Sequence, residues 1–214
     1  MKFFKSVILV VLLFLVFGCS EKEKTAIYNK PAIFWYQSIL KEIKNQDLEK
    51  ADDFYTSLAS EHAESPLLHE AMLILAQAHM QEEEYLLANF YLDEYIKRYG
   101  DKKNSEYARF LKIKANFESF KYPNRNQQLL LDTIKNTQSF IKEYPNSEYK
   151  PMVETVLVKL KLANLELTKE IASLYKRIDK QKAAKIYKKR VDSSPLKNSN
   201  VIEPEIPWYR AIFE

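Results

Sequence analysis

Along most of the chain, large apolar residues recur three and four positions apart, the spacing that gathers them on one face of an α-helix. From residue 31 onward the pattern predicts helix pairs over 32–44 with 47–60, 66–81 with 84–99, and 105–120 with 126–144. A long helix then runs from about residue 149 toward 178 and pairs with one over 180–191. The first twenty residues follow a different rule. Lys2 and Lys5 precede an unbroken apolar run, 7–17, that closes on Gly18, Cys19 and Ser20. That layout is a secretion signal, and the run is shorter than the roughly 20 apolar residues a membrane-spanning helix requires.

The pairs recur at roughly 40 residues, and the sequence repeats in phase with them. Asp47-Leu48-Glu49-Lys50-Ala51 is echoed 37 positions later by Glu84-Tyr85-Leu86-Leu87-Ala88, and Asn104-Ser105-Glu106-Tyr107 returns as Asn146-Ser147-Glu148-Tyr149. Repeats of this length predict a solenoid, in which no helix pair buries its apolar face alone and stacked neighbours complete the core. Glycine usage narrows the class further. Only Gly18 and Gly100 occur among 214 residues, too few for the tight turns of a β-rich domain or for a phosphate-cradling loop. Six of the eight prolines (Pro31, Pro66, Pro123, Pro145, Pro151 and Pro195) fall at helix starts or between periodic segments, where proline is tolerated.

Val16-Phe17-Gly18-Cys19 resembles a bacterial lipobox, in which cleavage precedes a diacylated cysteine; Phe17 is bulkier than the usual residue there. Cys19 is the only cysteine, so it has no intramolecular disulfide partner. The competing reading is a secreted protein with an incidental cysteine. Several acyl chains on one residue would make membrane attachment stable without an apolar protein face. The expected organisation is a signal over 1–18, a lipidated tether over 19–30, a repeat domain over 31–192 and a tail over 193–214. Ser20 after the cysteine favours the outer membrane, because inner-membrane retention uses aspartate there.

Charge and chemistry exclude more than they assign. Loss of Lys2 and Lys5 lowers the formal charge from +4 to +2, a near-neutral balance that gives no reason to expect nucleic acid as a partner. The basic stretch 175–190 reads as a solvated helix face; attraction to acidic lipid headgroups or an acidic partner is the alternative. The aromatics Phe54, Tyr55, Phe90, Tyr91 and Tyr95 fall on second helices at spacings suited to packing between repeats. Of the three histidines, His69 and His79 lie on one predicted helix, roughly 80° apart around its axis and about 15 Å along it, too distant to share a metal. His79 sits at a packing position, and His62 in a turn. Adjacent carboxylates such as Asp52-Asp53 and Glu82-Glu83-Glu84 diverge by about 100° on a helix. No catalytic or metal site is expected, and no cofactor beyond the covalent lipid on Cys19.

The helix pairs resemble tetratricopeptide repeats. Met72, Leu75, Ala76 and His79 occupy the first-helix packing places of the second repeat, followed by Tyr85, Ala88 and Leu92, while Gly100 stands where the repeat usually has proline. Trp35 marks the early place in the first repeat. The third repeat departs, with an insertion around residues 122–125 and Thr133 where alanine is expected. Lipobox, short tether, immediate repeats and one overlong late helix together resemble the BamD family of outer-membrane assembly lipoproteins. The resemblance rests on Ser65-Pro66, Glu70-Ala71-Met72, Ser105-Glu106-Tyr107-Ala108, and the run from Phe140-Ile141 through Tyr144-Pro145-Asn146-Ser147. The ending Trp208-Tyr209-Arg210-Ala211-Ile212-Phe213 departs from it.

The resemblance implies an all-α, right-handed solenoid of about five tetratricopeptide-like helix pairs, the fourth and fifth sharing the long helix. It implies a non-enzymatic subunit of the β-barrel assembly machinery, anchored by lipid in the outer membrane and facing the periplasm. The implied partners are a BamA-like barrel protein and other machinery subunits, docked on the carboxyl-terminal half, and unfolded outer-membrane proteins held by the amino-terminal repeats. Barrel substrates end in an aromatic-bearing strand that an apolar groove can hold before strand pairing hides it. In these repeats the concave wall comes from first helices. The register set by Ala51 and Ala88 points Ile33, Tyr36, Leu40 and Ile43 inward, then Glu70, Leu73, Gln77 and Met80, with Tyr107 and Phe110 extending the wall. Core packing between helices is the other reading of each apolar residue. The same architecture also suits an adaptor for peptidoglycan enzymes or pilus assembly.

Overall fold

A computed structural model describes residues 27–101, 105–120 and 126–199. Signal residues 1–18, Cys19, the insertion around 122–125 and the aromatic ending 208–213 lie outside the described residues. The chain divides into two units, Met1–Pro31 and Ala32–Glu214. In the first, Ile27 and Tyr28 are exposed and Asn29 takes a left-handed backbone, φ 54°.

The described part of the second unit is helical: α1 Ala32–Lys44, α2 Leu48–Glu61, α3 Pro66–Gln81, α4 Tyr85–Tyr99, α5 Ser105–Glu118, α6 Gln127–Glu143, α7 Lys150–Arg177 and α8 Gln181–Asp192. Each boundary has a local cause. Asp47, Ser65 and Asn126 accept a backbone N–H at the starts of α2, α3 and α6, and Pro66 fills the first turn of α3. Gly100 ends α4 because a Cβ there would stand 2.0 Å from the Ile96 carbonyl oxygen. No described helix is long and apolar enough to cross a membrane.

Three turns within pairs are built alike. Gln46, Glu83 and Asp179 take left-handed φ values of 61°, 61° and 55°. The next residue's N–H returns to a carbonyl five positions back: Asp47 to Glu42, Glu84 to His79, and Lys180 to Tyr175. This is a Schellman closure with a side-chain-bearing residue where glycine is usual. Tight reversals therefore occur without glycine, at a strain cost of about 1–2 kcal/mol each.

Packing follows the repeat logic. Ala51, Ala71, Ala76, Ala88, Ala108 and Ala115 are fully buried among Trp35, Ile39, Met72, Leu75 and Leu92. Thr133, in an alanine position of α6, is also fully buried; its hydroxyl donates to the Leu129 carbonyl at 2.7 Å, so it enters the core without an unpaired polar group. Consecutive helices pack against each other, α1 also meets α3, and α5 also meets α7. The described residues form eight helices, and α7, with 28 residues, is the long helix expected between the third pair and α8. The stretch up to Leu167, through Val153, Val156, Leu160, Leu165 and Leu167, carries its buried residues. The rest of α7 pairs with α8, which has none buried, through Tyr175 against Tyr187 at 5.4 Å. Phe90 was expected in the core but is 52% exposed beside exposed Leu86 and Leu87, because α4 turns this edge away from both neighbouring pairs.

The left-handed turns give a direct test. Gln46→Gly should stabilise the protein by about 1 kcal/mol, raising Tm by about 2–4 °C in thermal denaturation. An unchanged or lowered Tm would mean that residue 46 is not strained.

Candidate peptide-binding groove

The first helices α1 and α3 pack directly, and so do α5 and α7, whereas α3 reaches α5 through α4. The expected wall therefore separates into two stretches. On α1 and α3, Tyr36 and Leu73 are half-buried with their inner edges on the core, and Leu40 is 38% exposed. Gln77, also half-buried, donates to the Leu73 carbonyl of its own helix at 3.2 Å, leaving its amide oxygen available. Burial raises the Tyr36 pKa, and the charge of Glu70 on α3 raises it further. Ile33 is exposed and Ile43 half-buried, whereas Met80 is buried.

On α5 and α7 the aromatics form a cluster. Phe110 stacks on Tyr149 with ring centroids 4.4 Å apart and planes 12° from parallel; Tyr107 lies 5.7 Å from Tyr149 and 6.3 Å from Phe110. Phe110 is buried beneath this stack, so its ring is packing and not open wall; Tyr107 keeps a half-buried edge. Tyr149 was not among the expected wall residues, yet a signal existed: it closes the second copy of the Asn-Ser-Glu-Tyr motif that Tyr107 closes in the first. The two equivalent tyrosines face each other across the α5–α7 contact. Burial, then a hydrogen bond and charge from Glu148, push the Tyr149 pKa up to about 12.

Two clefts lie away from these residues. One of about 420 Å³ separates α7 from α8, with Lys169, Lys176, Lys185 and Lys188 around Ala172 and Ala184. Another of about 240 Å³ lies between α4, α5 and α6, where Arg109 pairs with Glu143 at 2.9 Å and Lys112 pairs with Asp93. The histidines do not converge. His69 lies edge-on to Tyr99 at 5.5 Å, while His79 is 1% exposed between Asp52 and Glu84. Among the described residues, no three His, Cys, Asp or Glu side chains are grouped to hold a metal. The described α1–α3 surface offers half-exposed aromatic and aliphatic edges, which suit an extended apolar segment.

Comparison with known proteins agrees in scale with this architecture. Residues 29–192 match a family model described as YfiO, outer membrane lipoprotein. The chain is 44% identical over 217 residues to the outer membrane protein assembly factor BamD of Helicobacter pylori, covering 100% of this chain and 99% of the relative. It is 26% identical over 137 residues to the factor of the same name from Caulobacter vibrioides, covering 63% of this chain and 45% of that protein.

Burial separates packing from wall. Phe110→Ala should cost about 3–5 kcal/mol in urea denaturation, whereas Leu40→Ala, at an exposed position, should cost less than about 1 kcal/mol. Equal losses would remove the distinction.

Proposed function

The chain belongs to the YfiO family of outer membrane lipoproteins, and from that premise we propose that it is a non-enzymatic subunit of the β-barrel assembly machinery. Cys19 carries the lipid that anchors it in the outer membrane, with the repeats facing the periplasm. The α1–α3 wall holds unfolded outer-membrane proteins through Tyr36, Leu40, Leu73 and Gln77, and Tyr107 extends it. Phe110 supports Tyr107 from below. The carboxyl-terminal half docks on the periplasmic part of a BamA-like barrel protein, alongside other machinery subunits.

The observation that carries the groove is the state of the α1–α3 residues: anchored on the core by one edge, open on the other. A side chain fixed in this way presents apolar area at little cost in side-chain entropy, which favours capture of a disordered strand. Aromatic strand ends match such a surface in shape and chemistry. Release is equally built in, because a few half-exposed contacts give an affinity that strand pairing in the barrel can exceed.

Leu40→Glu together with Gln77→Glu should weaken binding of an aromatic-ended strand peptide by about tenfold or more, equivalent to about 1.4 kcal/mol, with helicity by circular dichroism unchanged. Unchanged binding by a folded variant would exclude this wall as the site. Cys19→Ala should shift the protein from the membrane fraction to the soluble one; retention in the membrane would place the anchor elsewhere. Affinity purification in mild detergent should recover a large barrel protein with periplasmic domains, and recovery of a cell-wall hydrolase or pilus component instead would replace the assembly reading.

A further inference from the structure

A polar cluster lies at the junction of the first two helix pairs, with the His79 ring enclosed at its centre. His79 of α3 places Nδ1 2.6 Å from Glu84 Oε2 in the α3–α4 turn and Nε2 3.0 Å from Asp52 Oδ1 on α2. Tyr91 of α4 donates its hydroxyl to the same Asp52 oxygen at 2.5 Å and stacks on the imidazole, centroids 5.6 Å apart and planes 15° from parallel. Tyr55 of α2 closes the other side, edge-on to Tyr91 at 4.9 Å. One side chain thereby joins α2, α3 and α4, the helices whose packing sets the tilt of the second pair on the first.

The chemistry of that position selects a protonation state. Both ring nitrogens face carboxylate oxygens, and only the imidazolium has an N–H to give to each. A neutral ring has one and turns a lone pair toward the other carboxylate; the ring itself is 1% exposed, while the Asp52 and Glu84 side chains keep an edge in water.

We propose that His79 is a protonation-controlled lock that holds the first two helix pairs in register and, through α3, sets the spacing of the α1–α3 wall; the functional weight of that spacing rests on the groove reading above. The titratable groups facing His79 are Asp52 from α2, Glu84 from the turn and Tyr91 from α4, and α1 contributes no charge that acts on it. Burial disfavours the imidazolium, but the hydrogen bonds to Asp52 and Glu84 and the charges of both outweigh it, so the pKa lies above the ordinary value. A raised folded-state pKa stabilises fully below the unfolded value near 6.5 and loses that contribution as pH climbs through the folded value. The lock is closed below the ordinary imidazole value and opens as pH climbs through the raised folded-state value.

The full-length lipidated protein has Cys19 as its one native cysteine, so spin labels at Gln37→Cys on α1 and Glu70→Cys on α3, both exposed positions, read the wall spacing with no peptide present. NMR of the His79 ring reads protonation in the same preparation. The expected result is a ring titrating above 6.5 and an α1–α3 distance distribution that shifts by about 1–2 Å with the same midpoint. In His79→Gln the distribution should not respond to pH. An identical distribution at pH 6 and pH 9, or the same shift in His79→Gln, overturns the lock. Should His79→Gln fail to fold, Asp52→Asn serves: it should lower both the ring's pKa and the distance midpoint, and an unmoved midpoint overturns the proposal. Failure of groove substitutions to affect peptide binding would leave these readouts intact and count against the groove alone.

Discussion

The structure depends on close approach of helix axes at small residues. Helices pack 8–10 Å apart only where the crossing side chains leave room, and here Ala51, Ala71, Ala76, Ala88, Ala108 and Ala115 supply that room with no exposed surface. Larger residues then interlock around each crossing, Trp35 and Ile39 on α1, Met72 and Leu75 on α3, Leu92 on α4. The tilt of each pair on the next follows, and with it the line along which α1 meets α3. The wall exists because these crossings are tight: Tyr36 and Leu73 have one edge on the core because the core reaches that far toward the surface. A bulkier residue at Ala88 would separate α4 from α3 and change the wall on the opposite side of the layer.

Much of this was legible in the chain because helical periodicity and repeat phase are local signals. The helix ends fall within about two residues of their expected positions, and the in-phase alanines at 51 and 88 are both buried. What was not legible is what depends on non-local geometry. Scarcity of glycine argued against sheets, but it did not say that Gln46, Glu83 and Asp179 would take the left-handed turns themselves. Phe90 shares the aromatic pattern of Tyr91 and Tyr95, yet it faces outward. Phe110 is expected on the wall, and the residue that covers it, Tyr149 just ahead of α7, is 39 positions away along the chain. The partners of His79 were equally hidden: Asp52 lies 27 residues earlier and Glu84 lies across a turn, so neither appears as a motif.

The two ends of the helical unit differ in how they are held. In α1 through α6 each helix contributes buried side chains, and polar groups that enter the core find partners, as where Trp35 donates to Glu61 at 2.8 Å or Ser105 meets Tyr144 at 3.1 Å, with Asn89 Oδ1 and Arg109 Nε as buried exceptions. Beyond Leu167 the burial stops: the end of α7 and all of α8 are held by half-buried residues and by the contact of Tyr175 with Tyr187. In a linear stack, stability is the sum of each repeat and its interfaces, and a terminal unit has one interface instead of two. The α7–α8 hairpin therefore opens at a lower free energy than the α1–α4 block.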